Sequence, residues 1–374
     1  MGARRQARAA ACAVALAAAA RAGAATVTEP IARLSLEGGY DSNVLYEGKG
    51  GDTAGRVSPD LGLRVRDHRY DFTGTYGGDY AYYSHFASSG LWNHRLRLEL
   101  DAKPSEHSTL EAILQGAYAQ DPIGLALLGI FRTGRTQAIF GLGRVRAVWH
   151  ATPRIDVAGT FAERLVRLDD RSGGAMHAPG VEALWRFTER LSAGGAYRLA
   201  VFQTFFAGGG SEVAYSHQVA ARADYDLGPH LRLEGAAGPA LWSSPTTRGI
   251  VPQATVTLLY TGKFTDLRLN AWHGLGIGST AAPGLISAFE VGLSHHFGRS
   301  WLVHVDGGIW DSGAAPTGAN SVLGYASEGE VSYLFHNGVR FGVAATRFAN
   351  LDNPSPAFAR TTVGIRVGWE LQAR

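Results

Sequence analysis

Cysteine is nearly missing from this chain. The only one, Cys12, lies in an N-terminal segment read below as removed, so the mature chain has no disulfide and no thiol chemistry. Lysine is scarce too: Lys49, Lys103 and Lys263 stand against 32 arginines among 35 basic residues. The net charge of +3 is spread along the chain rather than clustered, which excludes a nucleic-acid patch. No apolar run approaches the ~20 residues that a transmembrane helix needs, and the mean hydropathy is −0.05. No His, Cys, Asp and Glu spacing resembles a zinc site. Gly141-Leu-Gly143, Gly274-Leu-Gly276 and Gly208-Gly209-Gly210 lack the strand-to-helix setting of a phosphate loop. His295-His296 sits beside a short turn, in an interfacial position. No catalytic residue, cofactor or metal ligand is assigned.

What is present is glycine and aromatic residues. Glycine occurs 49 times in 374 residues, well above the usual ~7%, with no tripeptide period that would indicate collagen. The N-terminus has the layout of a secretory signal peptide: Arg4, Arg5 and Arg8, then an apolar Ala9 to Ala20, then Ala22-Gly23-Ala24 as a small-residue cleavage site. The domain reading is residues 1–24 as signal peptide and 25–374 as one β-barrel, with no linker between domains.

The stretch Glu330 to Phe348 sets the pattern for the rest. Asn337-Gly338 is a two-residue hairpin signal, because a type I′ turn needs positive φ at both central residues. Val331, Tyr333 and Phe335 alternate with small or polar residues before it, and Val339, Phe341 and Val343 do so after it. The pattern recurs to the C-terminus: Leu96, Leu98 and Leu100 alternate with Arg95, Arg97 and Glu99, and Val363, Ile365, Val367 and Trp369 with Gly364, Arg366 and Gly368. About 18 such segments are predicted, joined alternately by short turns and by longer connections such as 47–53, 121–133, 169–175 and 350–357. An even number of strands, short turns at one end and longer loops at the other define an all-β, antiparallel, up-and-down barrel of the outer membrane, its apolar face against lipid.

A charge on the lipid face costs ~2–4 kcal/mol at mid-bilayer, so the arginines must face inward. Aromatic residues collect near both strand ends, as interfacial girdles do: Trp149, Phe187, Tyr260, Phe297, Trp301, Phe335 and Trp369 by the short turns, and Tyr46, Tyr80, Tyr82, Trp92, Tyr118 and Phe348 by the longer loops. The chain runs past Trp369 instead of ending on an aromatic.

The first segment carries Gly38-Gly39-Tyr40-Asp41-Ser42-Asn43-Val44. It resembles the first-strand signature of a broad group of outer-membrane barrels, among them barrel porins associated with exopolysaccharide secretion. The 18-strand count and arginine-rich wall are also similar to the alginate export porin. The resemblance implies a channel that exports a polysaccharide with a periplasmic assembly partner. A general diffusion or solute-uptake porin is the alternative, with an outer-membrane enzyme or a plugged structural barrel further off. Read from the residues alone, Asp41 and Asn43 share one face and are expected either to cap the first external loop or to serve the lumen.

Two expectations concern the lumen. Leu125, Leu127, Leu128, Ile130 and Phe131 make the third long connection too apolar to stand free in water; it folds into the lumen as a constriction or extends its strands above the membrane. Arg64, Arg66, Arg95, Arg97, Arg144, Arg146, Arg232, Arg268, Arg340 and Arg366 fall on the inner face. They either pair with carboxylates across neighbouring strands or form an arc that favours anions.

Overall fold

The computed structural model describes residues 26–44, 50–86, 90–120, 137–278, 281–335, 338–351 and 359–370. Residues 1–25, Tyr46, Asn337, and Leu125, Leu127, Leu128, Ile130 and Phe131 of the third connection lie outside the described residues. Eighteen strands follow one another: β1 (Val27–Asp41), β2 (Asp52–Arg66), β3 (Tyr70–Tyr83), β4 (Leu91–Ser105), β5 (Ser108–Ala119), β6 (Ala138–Thr152), β7 (Ile155–Leu168), β8 (Gly173–Arg186) and β9 (Leu191–Phe205). The second half comprises β10 (Ser211–Gly228), β11 (Leu231–Ser243), β12 (Arg248–Thr261), β13 (Thr265–Ile277), β14 (Pro283–Phe297), β15 (Trp301–Ala314), β16 (Ala319–Leu334), β17 (Val339–Asn350) and β18 (Ala359–Glu370). Each strand pairs antiparallel with its chain neighbours, and β1 closes the ring on β18 from Arg33↔Glu370 to Asp41↔Thr362. The described residues contain no helix.

Alternation decides the faces. Leu34 and Leu36 of β1, and Val363, Ile365 and Val367 of β18, are exposed on the outside, while Glu37 and Arg366 meet across the same seam on the inside, 3.0 Å apart. A strand half in lipid and half in water needs this period of two. At the short-turn rim Trp149, Phe187, Phe297, Trp301, Phe335 and Trp369 are exposed. Phe348 departs from the expected girdle: it lies inside, packed with Ile286, Ala288, Trp310 and Ala326. Its cross-strand partner on β18 is Arg360, itself fully buried, so the register turns both residues inward.

The short-turn rim repeats one piece of chemistry. Thr152 Oγ1 accepts from the backbone N–H of Ile155 at 3.0 Å, and Thr188 Oγ1 does the same for Leu191, the hydroxyl closing the turn as in an ST motif. Gly338 has φ +80°, as its hairpin turn requires.

The other rim is uneven. Connections 42–51, 84–90, 120–137 and 351–358 are long, whereas 169–172, 206–210, 244–247, 278–282 and 315–318 are brief. The expected loop 169–175 is therefore shorter than its composition implied. Gly173 and Gly174 belong to β8, and both are glycine for steric reasons. A Cβ on Gly173 would lie 2.1 Å from Val166 O, and one on Gly174 would lie 2.7 Å from Ala281 O. Ala281 belongs to the β13–β14 connection, five strands further round the ring.

That contact reveals a distortion of the barrel. Pairing between β12 and β13 stops at Ala254↔His273, while β13 and β14 stay paired to Ile277↔Pro283. At the far side β17 ends at Asn350, opposite Gly324 of β16. The long-loop end of β13 thus parts from β12 and, with β14 still paired to it, leans into the lumen as a flap. Cα atoms of β13 come within 8 Å of β8, and those of β14 within 8 Å of β9. Along the wall, five ladder spacings of roughly 4.8 Å amount to about 24 Å.

Candidate functional site

The flap divides the interior. Under it Phe140, Val166, Phe202, Trp242, Val251, Leu275 and Ile277 form one buried cluster that reaches from β6 to β13. The Phe202 and Trp242 rings are 5.4 Å apart at 57°, and the Trp242 indole N–H donates to Thr247 Oγ1 at 3.1 Å. Full burial of a large apolar side chain is worth ~1.5–3 kcal/mol, so this sector is a packed core rather than a passage. Arg164 borders it, with its guanidinium 5.9 Å from the Phe140 ring, and Glu290 stands on β14. Glu290 is in turn held by Asn270 Nδ2 at 3.1 Å and Trp310 Nε1 at 3.2 Å. Towards the short-turn rim the same sector opens into a polar recess of about 430 Å³, lined among others by Arg146, His150, Asp156, Arg186, Asp224 and Arg232.

The opposite sector is open. A cavity of about 700 Å³ runs along β16, β17, β18 and β1 to β6. Arg95, Arg97, Arg340 and Arg366 line it, as do Asp60, Asp79, Glu328 and Glu330. Of the inward arginines expected from the sequence, most carry an ion pair. Arg64 Nε is 2.8 Å from Asp71. Arg66 lies 3.5 Å from Asp71 and 3.6 Å from Glu29. Arg95 bridges Asp79 at 2.8 Å and Asp60 at 3.3 Å, and Arg97 pairs with Glu99 of its own strand. Arg146 meets Glu182 at 3.5 Å, Arg232 meets Glu234 at 3.0 Å, and Arg366 is ringed by Glu37, Glu328 and Glu330. Arg144, Arg268 and Arg340 make no ion pair among the described residues. Surface pairs of this kind contribute ~0–1 kcal/mol each; their larger effect is to cancel the field of the arginine arc.

The first-strand motif serves the seam at the long-loop rim. Asp41 is 1% exposed and accepts from Arg360 Nε at 2.9 and 3.0 Å through its two carboxylate oxygens. Arg360 Nη2 also reaches Tyr83 Oη at 3.1 Å. The Asn43 backbone N–H donates to Asp41 Oδ1 at 3.1 Å, and Asn43 Nδ2 donates to Ala359 O at 2.9 Å. Ser42 Oγ accepts from the Thr361 N–H at 2.9 Å, while Tyr40 points outward, 54% exposed. The motif thus ties strand 1 to strand 18 and to strand 3. Nearby, Asp52 holds the start of the 84–90 connection through Ser84, His85 and the His85 and Phe86 backbone N–H groups.

Sequence reasoning missed Arg360 and the flap. Arg360 reads as one more inward arginine, and only the β1–β18 register opposes it to Asp41. The flap leaves a faint trace in Gly274 and Gly276: a Cβ on Gly276 would meet Ile286 Cδ1 at 3.0 Å, and one on Gly274 would meet Gln253 Cδ at 3.2 Å.

A closed, even-numbered antiparallel barrel with an apolar exterior, an aromatic rim and a charged interior is a transmembrane barrel of the outer membrane. Among the described residues no group of three or more His, Cys, Asp or Glu could hold a metal ion. No family model matches the chain, and no curated protein matches it. The resemblance to exopolysaccharide-associated barrels therefore rests on the first-strand motif and the architecture alone. Among solved structures, Pseudomonas aeruginosa OpdQ is similar at 9% identity and TM-score 0.44, over 92% of this chain and 97% of that one. The P. aeruginosa outer membrane protein opdK is similar at 10% and 0.42, over 92% and 99%, and Acinetobacter baumannii OccAB3 at 9% and 0.40, over 92% and 99%. At these values no residue role passes from them to this chain.

Proposed function

We propose that this protein is a porin-like channel that admits small polar solutes across the outer membrane, along the sector from β16 to β6. The observation that carries the reading is the polar cavity of about 700 Å³ beside a packed, flap-covered core. A lumen narrowed in this way suits small molecules, since a folded or branched polymer would need the width that the flap and its core occupy. Export of a polysaccharide with a periplasmic partner finds no support beyond the first-strand resemblance, and uptake of a small solute fits the narrowed lumen better. The refolded barrel in planar bilayers is expected to give discrete current steps, and liposomes containing it to swell in small sugars but not in oligosaccharides. Absence of current from a correctly folded barrel would reject the reading, and passage of long glycan chains would restore the export alternative.

A further inference from the structure

We infer that the lipid-facing wall holds a binding site of its own, centred on Arg347, for the phosphate headgroup of an outer-leaflet glycolipid. The site does not depend on what passes through the lumen. Phe341, Val343 and Arg347 share one face of β17, and Phe341 and Val343 are exposed on the outside. Phe348, the next residue, is buried inside. Arg347 therefore points outward, and it is exposed. Among the described residues it is the only charged side chain on the outer face of β16, β17, β18, β1 and β2. On β15 the one outward carboxylate, Asp311, lies opposite Leu323, four residues along β16 from the Ser327 that faces Arg347. Arg347 thus has no carboxylate paired to it. A cation so placed draws its counter-charge from the headgroups of the membrane.

Two hydroxyls aim the guanidinium. Arg347 Nε donates to Tyr325 Oη at 2.6 Å, and Nη1 donates to Thr361 Oγ1 at 3.2 Å. Tyr325 belongs to β16 and Thr361 to β18, so the arginine is held from both sides. Each hydroxyl accepts from the arginine and keeps its own O–H to donate. Nη2 makes no hydrogen bond among the described residues. The cluster offers donors and a positive charge, which is what a phosphate takes. Its level in the membrane fits. Arg347 stands eight residues beyond Val339, the short-turn end of β17. That is about 27 Å along the strand, or about 20 Å of height at the usual tilt. The apolar band of such barrels is about 25 Å tall, and an arginine reaches the headgroups from just inside its edge. Longer loops face outward in these barrels, so the headgroups are those of the outer leaflet, whose glycolipid carries its phosphates on sugar. Arg167, also outward, is placed differently: its guanidinium is 5.5 Å from the Phe205 ring, and Glu163 shares the outer face of its strand.

The test uses the full barrel refolded in detergent, titrated with lipid A, dephosphorylated lipid A and phosphatidylglycerol, with bound lipid read by native mass spectrometry. The parent is expected to hold lipid A about tenfold more tightly than either other lipid, the worth of one charge-assisted contact. Arg347→Gln should remove that preference. Arg347→Lys, which keeps the charge and loses the fork, should retain part of it. Tyr325→Phe, which frees the guanidinium, should weaken lipid A several-fold, and Arg167→Gln should leave it unchanged. Equal binding of the two forms of lipid A by the parent would overturn the inference, whether or not Arg347→Gln folds. So would parent-like preference in Arg347→Gln, or a loss in Arg167→Gln as large as in Arg347→Gln. Phosphatidylglycerol held as tightly as lipid A would overturn the assignment to a glycolipid.

Discussion

Two sectors of one ring, built from strands of similar length and the same alternation, have opposite interiors. From β16 through β5 the inward positions are charged, polar or glycine for the most part, the connections above them are long, and the lumen stays open. From β6 through β13 the inward positions of the long-loop half are chiefly Phe, Trp, Leu, Ile, Val and Ala, with a few polar side chains such as Arg164 and Gln218 among them, the connections are brief, and the space is filled. Outward faces do not differ in this way, since lipid demands the same of every strand. Inward polarity is thus what turns part of a barrel from wall into core. Once that face is apolar, the β13–β14 flap gains burial by parting from β12 and leaning across to β8 and β9.

The comparison can be broken first at the seam. Arg360→Leu leaves Asp41 buried without its counter-charge and should cost about 3–5 kcal/mol, seen as a lowered urea midpoint and loss of the compact band in unheated gels. A stable variant would mean that the seam needs no clasp. In the filled sector, Phe202→Ala should cost about 3 kcal/mol through the cavity it leaves. A negligible loss there would show that the sector is not a core. Removal of the 278–282 tip, with Ile277 joined to Pro283 through a short glycine link, should raise single-channel current, because Ala281 would no longer cover β8. An unchanged current would locate the constriction elsewhere. The smallest effect is expected from Arg64→Ser in the open sector. Its exposed pair with Asp71 is worth less than ~1 kcal/mol, and stability should move less there than for Phe202→Ala.

Much of this architecture was legible because alternation is a local property. Arg95-Leu96-Arg97-Leu98 announces a two-faced strand wherever it folds, and the ring of 18 follows from counting such runs. The constriction was not legible. Leu125 to Phe131, the expected constriction, lies outside the described residues; among the described residues it is the end of the β13–β14 hairpin that leans inward. What selects it is the loss of β12 pairing beyond His273 and a glycine on β8 opposite Ala281, and neither is visible within one stretch of chain. The arginine arc shows the same limit. Arg64, Arg66, Arg95 and Arg97 are evident as inward residues, but whether they create a field depends on carboxylates such as Asp71, Asp60 and Asp79, which register alone brings within 2.8 to 3.5 Å. In Asp41 and Asn43 the sequence reading held the capping role open, and the structure supplies what the pair holds: the two ends of the chain.

We propose that solute passes only through the β16-to-β6 sector. Single cysteines at Arg97, in the open sector, and at Ala200, in the filled one, offer the most direct measurement, since residues 13–374 contain no cysteine. With each variant conducting in a planar bilayer, a bulky thiosulfonate reagent should cut the current through Arg97→Cys and leave that through Ala200→Cys unchanged. A block at Ala200→Cys, or none at Arg97→Cys, would contradict the division of the lumen.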